Sequence, residues 1–355
     1  MARNSIGKNL IITSFGESHG EAVGVVIDGY PANEQIDLVA LQECLWRRRP
    51  GQSAMTTSRN ENDIAQIISG VFEGKTLGSP ITILLSNNDA KSSDYDELKD
   101  IYRPGHADLL YDSKYGHRDH RGGGRSSARI TAGWVAAGAL ALQYLEKQGI
   151  TITGWVQQIY QCIAPTLSIT PSKIDIENSL VRCWDKDTSD AMIAAIELAK
   201  SEKDSLGGVI QCNINGLPMG LGEPVFGKMQ SVLGQYLFNI NAVKGISFGD
   251  GFTAATMKGS EHNDAWVNIE GNIGTQTNHS GGIIGGISTG ADVKLQVAFK
   301  PTSTIGKNQN TVNKLGEPVT LEATGRHDPC VVPRAVPIVE AMCALAVMDL
   351  FLEHK

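Results

Sequence analysis

Runs of apolar and β-branched residues at 9–13, 23–27, 66–72, 81–85, 208–214 and 292–299 predict strands. Between them, apolar positions recur with helical spacing at 37–47, 131–147, 189–201, 226–239 and 337–352. The last of these reads PIVEAMCALAVMDLFL and is apolar on nearly every side, so it belongs in the core or in a subunit interface. We favour the interface. A faint repeat runs through the pattern: GVVIDGYP at 24–31 is echoed by CNINGLP at 212–218, and ISGVFEGKTLGSPITILL at 68–85 by IGGISTGADVKLQVAF at 284–299. Such echoes predict an internally duplicated α+β chain whose halves, roughly 1–200 and 201–355, flank an active site.

At 355 residues the chain is longer than one ordinary core requires, which fits two lobes or one large duplicated domain. The 39 glycines point to many tight turns and close backbone approaches. Six cysteines, at 44, 162, 183, 212, 330 and 343, form no CxxC pair, so they read as reduced thiols. The start, MARNSIGKNL, has no signal-peptide core, and no run matches a bilayer span of ~18–20 apolar residues. A cytoplasmic protein with no membrane partner is expected. A formal net charge of −7 argues against a nucleic-acid partner and gives weight to the local basic clusters, Arg47–Arg49 and the arginines around 118–129.

In RGGGRSSARITAGW at 121–134, the glycines at 122–124 allow positive φ and close approach of backbone N–H groups to a ligand. Ser126 or Ser127 can cap a helix beginning near Ala128, which would bring a partly positive helix N-terminus to the loop. Arg125 and Arg129, four residues apart, can flank the same anion. The blander reading is a glycine-rich turn with solvated arginines. GVFEGKT at 70–76 lacks the spacing of a phosphate loop, since Ser69 stands where glycine is needed, and Lys75 reads as a hairpin residue. HRDHR at 117–121 has an HxxH spacing, but Arg118 and Arg121 would repel a divalent cation; a surface loop or an anion-pocket wall suits the charges better, and no metal is expected. Three turns carry histidines beside other polar groups: TSFGESHG at 13–20, RPGHAD at 103–108 and GRHDPCVVPRAVP at 325–337. Groups that titrate near pH ~6–7 beside fixed cations suit acid–base chemistry on a small, multiply anionic substrate.

FGESHG, RRRPGQS, RPGHAD, GGGRSSAR, NHSGGIIGG, KPTST and GRHDPCVVPRAVP occur in this order from residue 15 to residue 337, and together they resemble the chorismate synthase family over essentially the whole chain. The resemblance implies a β-α-β sandwich, a homotetramer and a lyase of the shikimate pathway. Its reaction would be the 1,4-anti elimination of phosphate from 5-enolpyruvylshikimate 3-phosphate to give chorismate for aromatic amino acid biosynthesis. Reduced FMN is the implied cofactor. NADPH enters only for flavin reduction, by this chain or by a separate flavin reductase.

Carried over motif by motif, the resemblance assigns His19 as the acid near the departing phosphate and His106 as proton donor to the reduced flavin. Asp328 would assist removal of the C6 proton, with Ser18 and Ser127 as helpers. Arg48, Arg103, Arg129 and Arg326 would clamp substrate anions. Flavin contacts fall on Arg125, Ser126, Ser127, Asn241, Ala242, Gly285, Lys300, Pro301, Thr302, Ser303, Thr304 and Arg326. An NADP site would use Arg48 and position 54, where the family has a basic residue and this chain has Ala54; Arg59 is a nearby substitute. The family also has Glu where this chain has Ile130, so a capping box from Ser127 is not available. Two other readings remain open: a flavin-binding reductase, which would oxidise NADPH without the shikimate-derived substrate, and a non-enzymatic assembly module, which would release no phosphate.

Overall fold

The protein is described by a computed structural model covering residues 3–51, 61–88, 98–322 and 328–354. Strict alternation builds its first sheet. In Ala22–Asp28 (β3), Val23, Val25 and Ile27 turn inward and are buried, while Val26 faces outward. Ile11–Phe15 (β2) and Ile81–Ser86 (β5) pair antiparallel on either side of β3, and Ser5–Ile6 (β1) and Gln66–Ser69 (β4) form the edges, in the order β1-β2-β3-β5-β4. The second sheet is also antiparallel and also five-stranded. It comprises Thr151–Ile159 (β6), Cys162–Ile163 (β7), Gly208–Asn215 (β8), Val243–Phe248 (β9) and Val293–Phe299 (β10), in the order β9-β10-β8-β6-β7.

The helices are Leu38–Arg48 (α1), Asp108–Tyr115 (α2), Thr131–Lys147 (α3), Lys173–Glu177 (α4), Lys186–Ser201 (α5), Met229–Leu237 (α6), Gly259–His262 (α7) and Val332–His354 (α8). α3 lies against the first sheet, α8 against the second, and the two helices pack on each other. Their backbones meet closely because Gly138 has no side chain: a Cβ there would stand 2.4 Å from Cβ of Ala341. This sheet–helix–sheet layering is the expected β-α-β sandwich within the α+β class.

α8 corrects two expectations. By length and hydropathy, with a mean of 2.0, it matches a membrane span, although no such run was expected; 89% of that window is buried inside the chain. It is therefore a core helix of this subunit, packed against α1, α3, α6 and the second sheet, rather than the interface helix we favoured. It also begins at Val332, ahead of the predicted 337, despite Pro337. That proline has no N–H to offer the Pro333 carbonyl, and the Arg182 guanidinium donates to this carbonyl instead, at 2.5 Å.

Other boundaries moved for local reasons. The first long strand starts at Ile11 rather than residue 9, because the N–H groups of Asn9 and Leu10 bond to the Asp349 carboxylate. The run 66–72 breaks at Gly70, whose φ is +82°, and Val71–Phe72 instead pairs with Lys75–Thr76 in a small hairpin. Asp185 caps α5 through the Thr188 N–H and extends it to Lys186. The echoed segments occupy matching places: the first pair supplies β3 and β8, each the middle strand of its sheet, and the second supplies their neighbours β5 and β10. The sheets do not divide near residue 200, however, since β6 and β7 belong to the second.

Candidate active site

The glycine-rich segment ends in two short 3-10 turns, Gly124–Ser126 and Ala128–Ile130, and α3 follows only at Thr131. Ser127 separates the turns in extended conformation, and its Oγ accepts the N–H of Arg129 at 3.2 Å. The cap thus serves a 3-10 turn and not the helix expected near Ala128. Ile130 is buried at the helix start. The two arginines diverge. Arg125 donates to the carbonyls of Gly16 at 2.8 Å and Ser14 at 2.9 Å, binding the turn that carries Ser18 and His19. Arg129 donates to Asn87 Oδ1 at 2.7 Å, to the Ser86 carbonyl at 3.0 Å and to Asp63. Asn87 in turn donates to the carbonyls of Glu17 and Gly20, which fastens the His19 turn to the same network.

A cavity of about 390 Å³ opens beside this segment. Its walls include Arg48, Arg103, His106, Ser126, Ser127, Arg129, Asn241, Ala242, Lys300 to Thr304, Asp328 and Arg334. Sequence-distant loops therefore converge on one space. Asn241 Nδ2 joins two of them by donating to the Ser126 carbonyl at 2.6 Å. His106 Nε2 lies 2.5 Å from Thr304 Oγ1. Ser18 Oγ lies 3.1 Å from Nδ1 of His19, whose ring packs against Gly122, next to the lining residue Gly123.

Most cavity cations carry counter-ions. Arg103 makes a two-pronged contact with Asp108, at 2.8 Å on both arms, and Arg118 shares that carboxylate at 3.1 Å. Arg334 pairs with Asp328, and Arg48 reaches Asp63 at 2.7 Å. Burial alone would raise the Asp63 and Asp108 carboxyls, but their arginine neighbours outweigh it and hold both below the usual carboxylate range. Lys300 differs: among the described residues its Nζ meets only Ser303 Oγ and the Gly105 carbonyl. Burial, aided by the charge of Lys244, pulls its ammonium below the usual lysine range.

Some expected site residues do not line this cavity. Gly285 stands in the turn after Ile283–Ile284 and is not among the residues that line it. Arg125, whose guanidinium is taken up by the Gly16 and Ser14 carbonyls, is not among the residues that line the cavity. Residues 117–121 are not among those that line the cavity; Asp108 and Asp112 take Arg118, and Asp119 takes Arg121. Ala54, Arg59, Arg326 and His327 lie outside the described residues. Sequence reading missed Asp63 and Asn87. Neither sits in a recognisable motif, although clustered buried arginines demand counter-ions and would have justified a search for acids.

The chorismate synthase family profile matches residues 10–352. A chorismate synthase of Porphyromonas gingivalis is 53% identical over 99% of this chain and 96% of its own length, and one of Gloeothece citriformis is 52% identical over 99% and 98%. The chain belongs to the chorismate synthase family. A crystal structure of a chorismate synthase superposes with a TM-score of 0.78 at 29% identity, covering 98% of this chain and 93% of that one. As a chorismate synthase, the protein is a lyase of the shikimate pathway, and the fixed cations of its cavity suit a substrate bearing a phosphate and two carboxylates.

Proposed function

We propose that the cavity holds 5-enolpyruvylshikimate 3-phosphate together with reduced FMN and eliminates phosphate there. The supporting observation is the convergence of the RPGHAD, RSSAR, Asn241–Ala242 and KPTST segments on one space. The walls fit an added polar cofactor: among the described residues, Asn241 Oδ1 and Thr302 Oγ1 are buried without a hydrogen-bond partner, and Lys300 lacks a carboxylate. Asn241, Ala242, Ser126, Ser127 and Lys300 to Thr304 would hold the flavin, joined by Arg326. When bound, reduced flavin supplies electron density to the breaking C–O bond.

The chain's own residues do the rest. Arg48, Arg103 and Arg129 orient the substrate's anionic groups and stabilise charge as phosphate departs. His19, supported by Ser18, delivers a proton on the phosphate side. His106, held by Thr304, keeps a proton at the cavity wall. Asp328, kept near Arg334, accepts the C6 proton, with Ser127 beside the path. Gly285 does not line this cavity within one chain, so a flavin contact from it would be supplied by a neighbouring subunit.

The protein is further proposed to be cytoplasmic and homotetrameric. The outer face of the first sheet offers a subunit contact, since Ile11, Phe15, Val26 and Leu84 remain partly exposed on it. Light scattering after size exclusion tests the tetramer. Phosphate release and chorismate absorbance with photoreduced FMN, with and without NADPH, test the chemistry. Product formation only with pre-reduced flavin assigns flavin reduction to a separate reductase. No phosphate release under either condition would remove the proposal.

A further inference from the structure

Asp63 belongs to none of the motifs that mark the site, yet it lies at the centre of the cavity's charge. One of its carboxylate oxygens accepts from Arg48 at 2.7 Å and the other from Arg129. All three residues are nearly inaccessible, with relative exposures of 1% for Arg48, 2% for Asp63 and 4% for Arg129. Both arginines also line the cavity. Their other contacts fix each guanidinium further: Arg48 with the Ala128 carbonyl and Thr131 Oγ1, Arg129 with Asn87 and the Ser86 carbonyl. Asp63 is itself held, because Gln42 donates to its carbonyl at 2.9 Å. It adopts φ = +48°, a conformation unusual for a residue other than glycine and retained where the surroundings impose it.

One carboxylate shared by two guanidinium groups has two consequences. It ties Arg48, at the end of α1, to Arg129, ahead of α3, so that their relative aim is set before any ligand arrives. It also cancels one of their two charges and leaves the pair with a net single positive charge for the substrate's anions. A second carboxylate would neutralise the pair, and none would leave two buried cations repelling each other.

We propose that Asp63 is a positioning residue for the elimination, fixing the aim and the net charge of Arg48 and Arg129 toward the substrate. The proposal rests on the substrate-clamping role given to these two arginines above. Preorganised cations act on the transition state, so their misalignment appears in kcat more than in KM. Asp63→Glu keeps the charge and the ion pairs but moves the carboxylate by one methylene. Its kcat for chorismate formation is expected to fall about 10- to 100-fold, with KM changed by less than about threefold.

Asp63→Asn removes the charge. It is expected to lower kcat at least as far, while inorganic phosphate, now facing one more uncompensated cation, inhibits several-fold more strongly. Asp63→Glu with kcat within about twofold of the parent overturns the proposal and leaves Asp63 a structural ion pair. If Asp63→Asn does not fold, Asp63→Glu decides alone. Arg48→Met and Arg129→Met separate the two levels: unchanged KM and kcat in both refutes the clamp itself, and lost activity there with an active Asp63→Glu refutes only the role of Asp63.

Discussion

A Cβ built on Gly122 would lie 2.4 Å from Nδ1 of His19, and the backbone there has φ = +94°, which side-chain-bearing residues rarely adopt. The glycine-rich segment thus leaves room for the histidine ring as well as exposing its own backbone. Gly122→Ala is expected to displace His19 and lower kcat about 10- to 100-fold, at a folding cost of about 1–3 kcal/mol that urea denaturation would measure. A parent-like kcat would show that the ring's position at Gly122 does not matter to the chemistry. Lys300 supports a second test. Its ammonium, held below the usual lysine range by burial and by Lys244, loses its proton at lower pH than an ordinary lysine near ~10.4. Affinity for the anionic flavin should therefore weaken on the alkaline side before that pH, and Lys300→Arg should retain it. Flavin fluorescence titrated at rising pH gives the answer: identical alkaline losses in both proteins would exclude Lys300 as the group responsible.

How far each element was legible depended on what set its limits. The apolar period of α3 was legible over 131–147, whereas the serine cap pointed to a start near Ala128 that the structure gives to a 3-10 turn. α8 was legible as apolar but not in place, since its start depends on Arg182 donating to Pro333, a contact between residues 151 positions apart. The candidate site divides the same way. His106 and the Lys300–Thr304 run stand in dense local motifs, whereas Asp63 serves arginines that lie 15 and 66 positions away. The matching positions of β3 and β8, each followed by a left-handed glycine, Gly29 and Gly216, support our proposal that the two sheets are duplicated units. Between those sheets, Glu340 on α8 is buried; it accepts from Arg47 of α1 at 2.6 Å and from the Gly154 N–H of β6 at 2.9 Å. Arg47 also pairs with Glu177, at 2.7 Å, and loses the buried half of this pairing when Glu340 is removed. Glu340→Ala should cost about 3–5 kcal/mol in urea denaturation. A cost below about 1 kcal/mol would mean that apolar packing alone joins the helical layer to the second sheet.

Across the molecule, a chain of net charge −7 keeps a cationic cavity by setting its arginines on buried carboxylates. This arrangement ties stability to acid. Asp63 and Asp108 titrate below their ordinary range in the folded state because their arginine partners overcome the effect of burial. The unfolded chain therefore takes up these protons first as pH falls. The stabilisation is present above the unfolded carboxyl value of about 3.9 and is lost as pH drops through the lower folded values. The melting temperature should stay nearly level from neutral pH to about pH 5 and fall steeply below about pH 4. Because the pairs are shielded from solvent, added salt should change that acid limb little. Asp108→Asn leaves Arg103 without its two-pronged partner and Arg118 with Asp112. It should melt lower at neutral pH and show a shallower acid limb, since one of the protons driving the transition is gone. Thermal unfolding followed by circular dichroism across the acid range decides between this and general charge repulsion. A variant with the full parent slope would place the acid sensitivity in the dispersed surface charge rather than in the pairs that build the cavity.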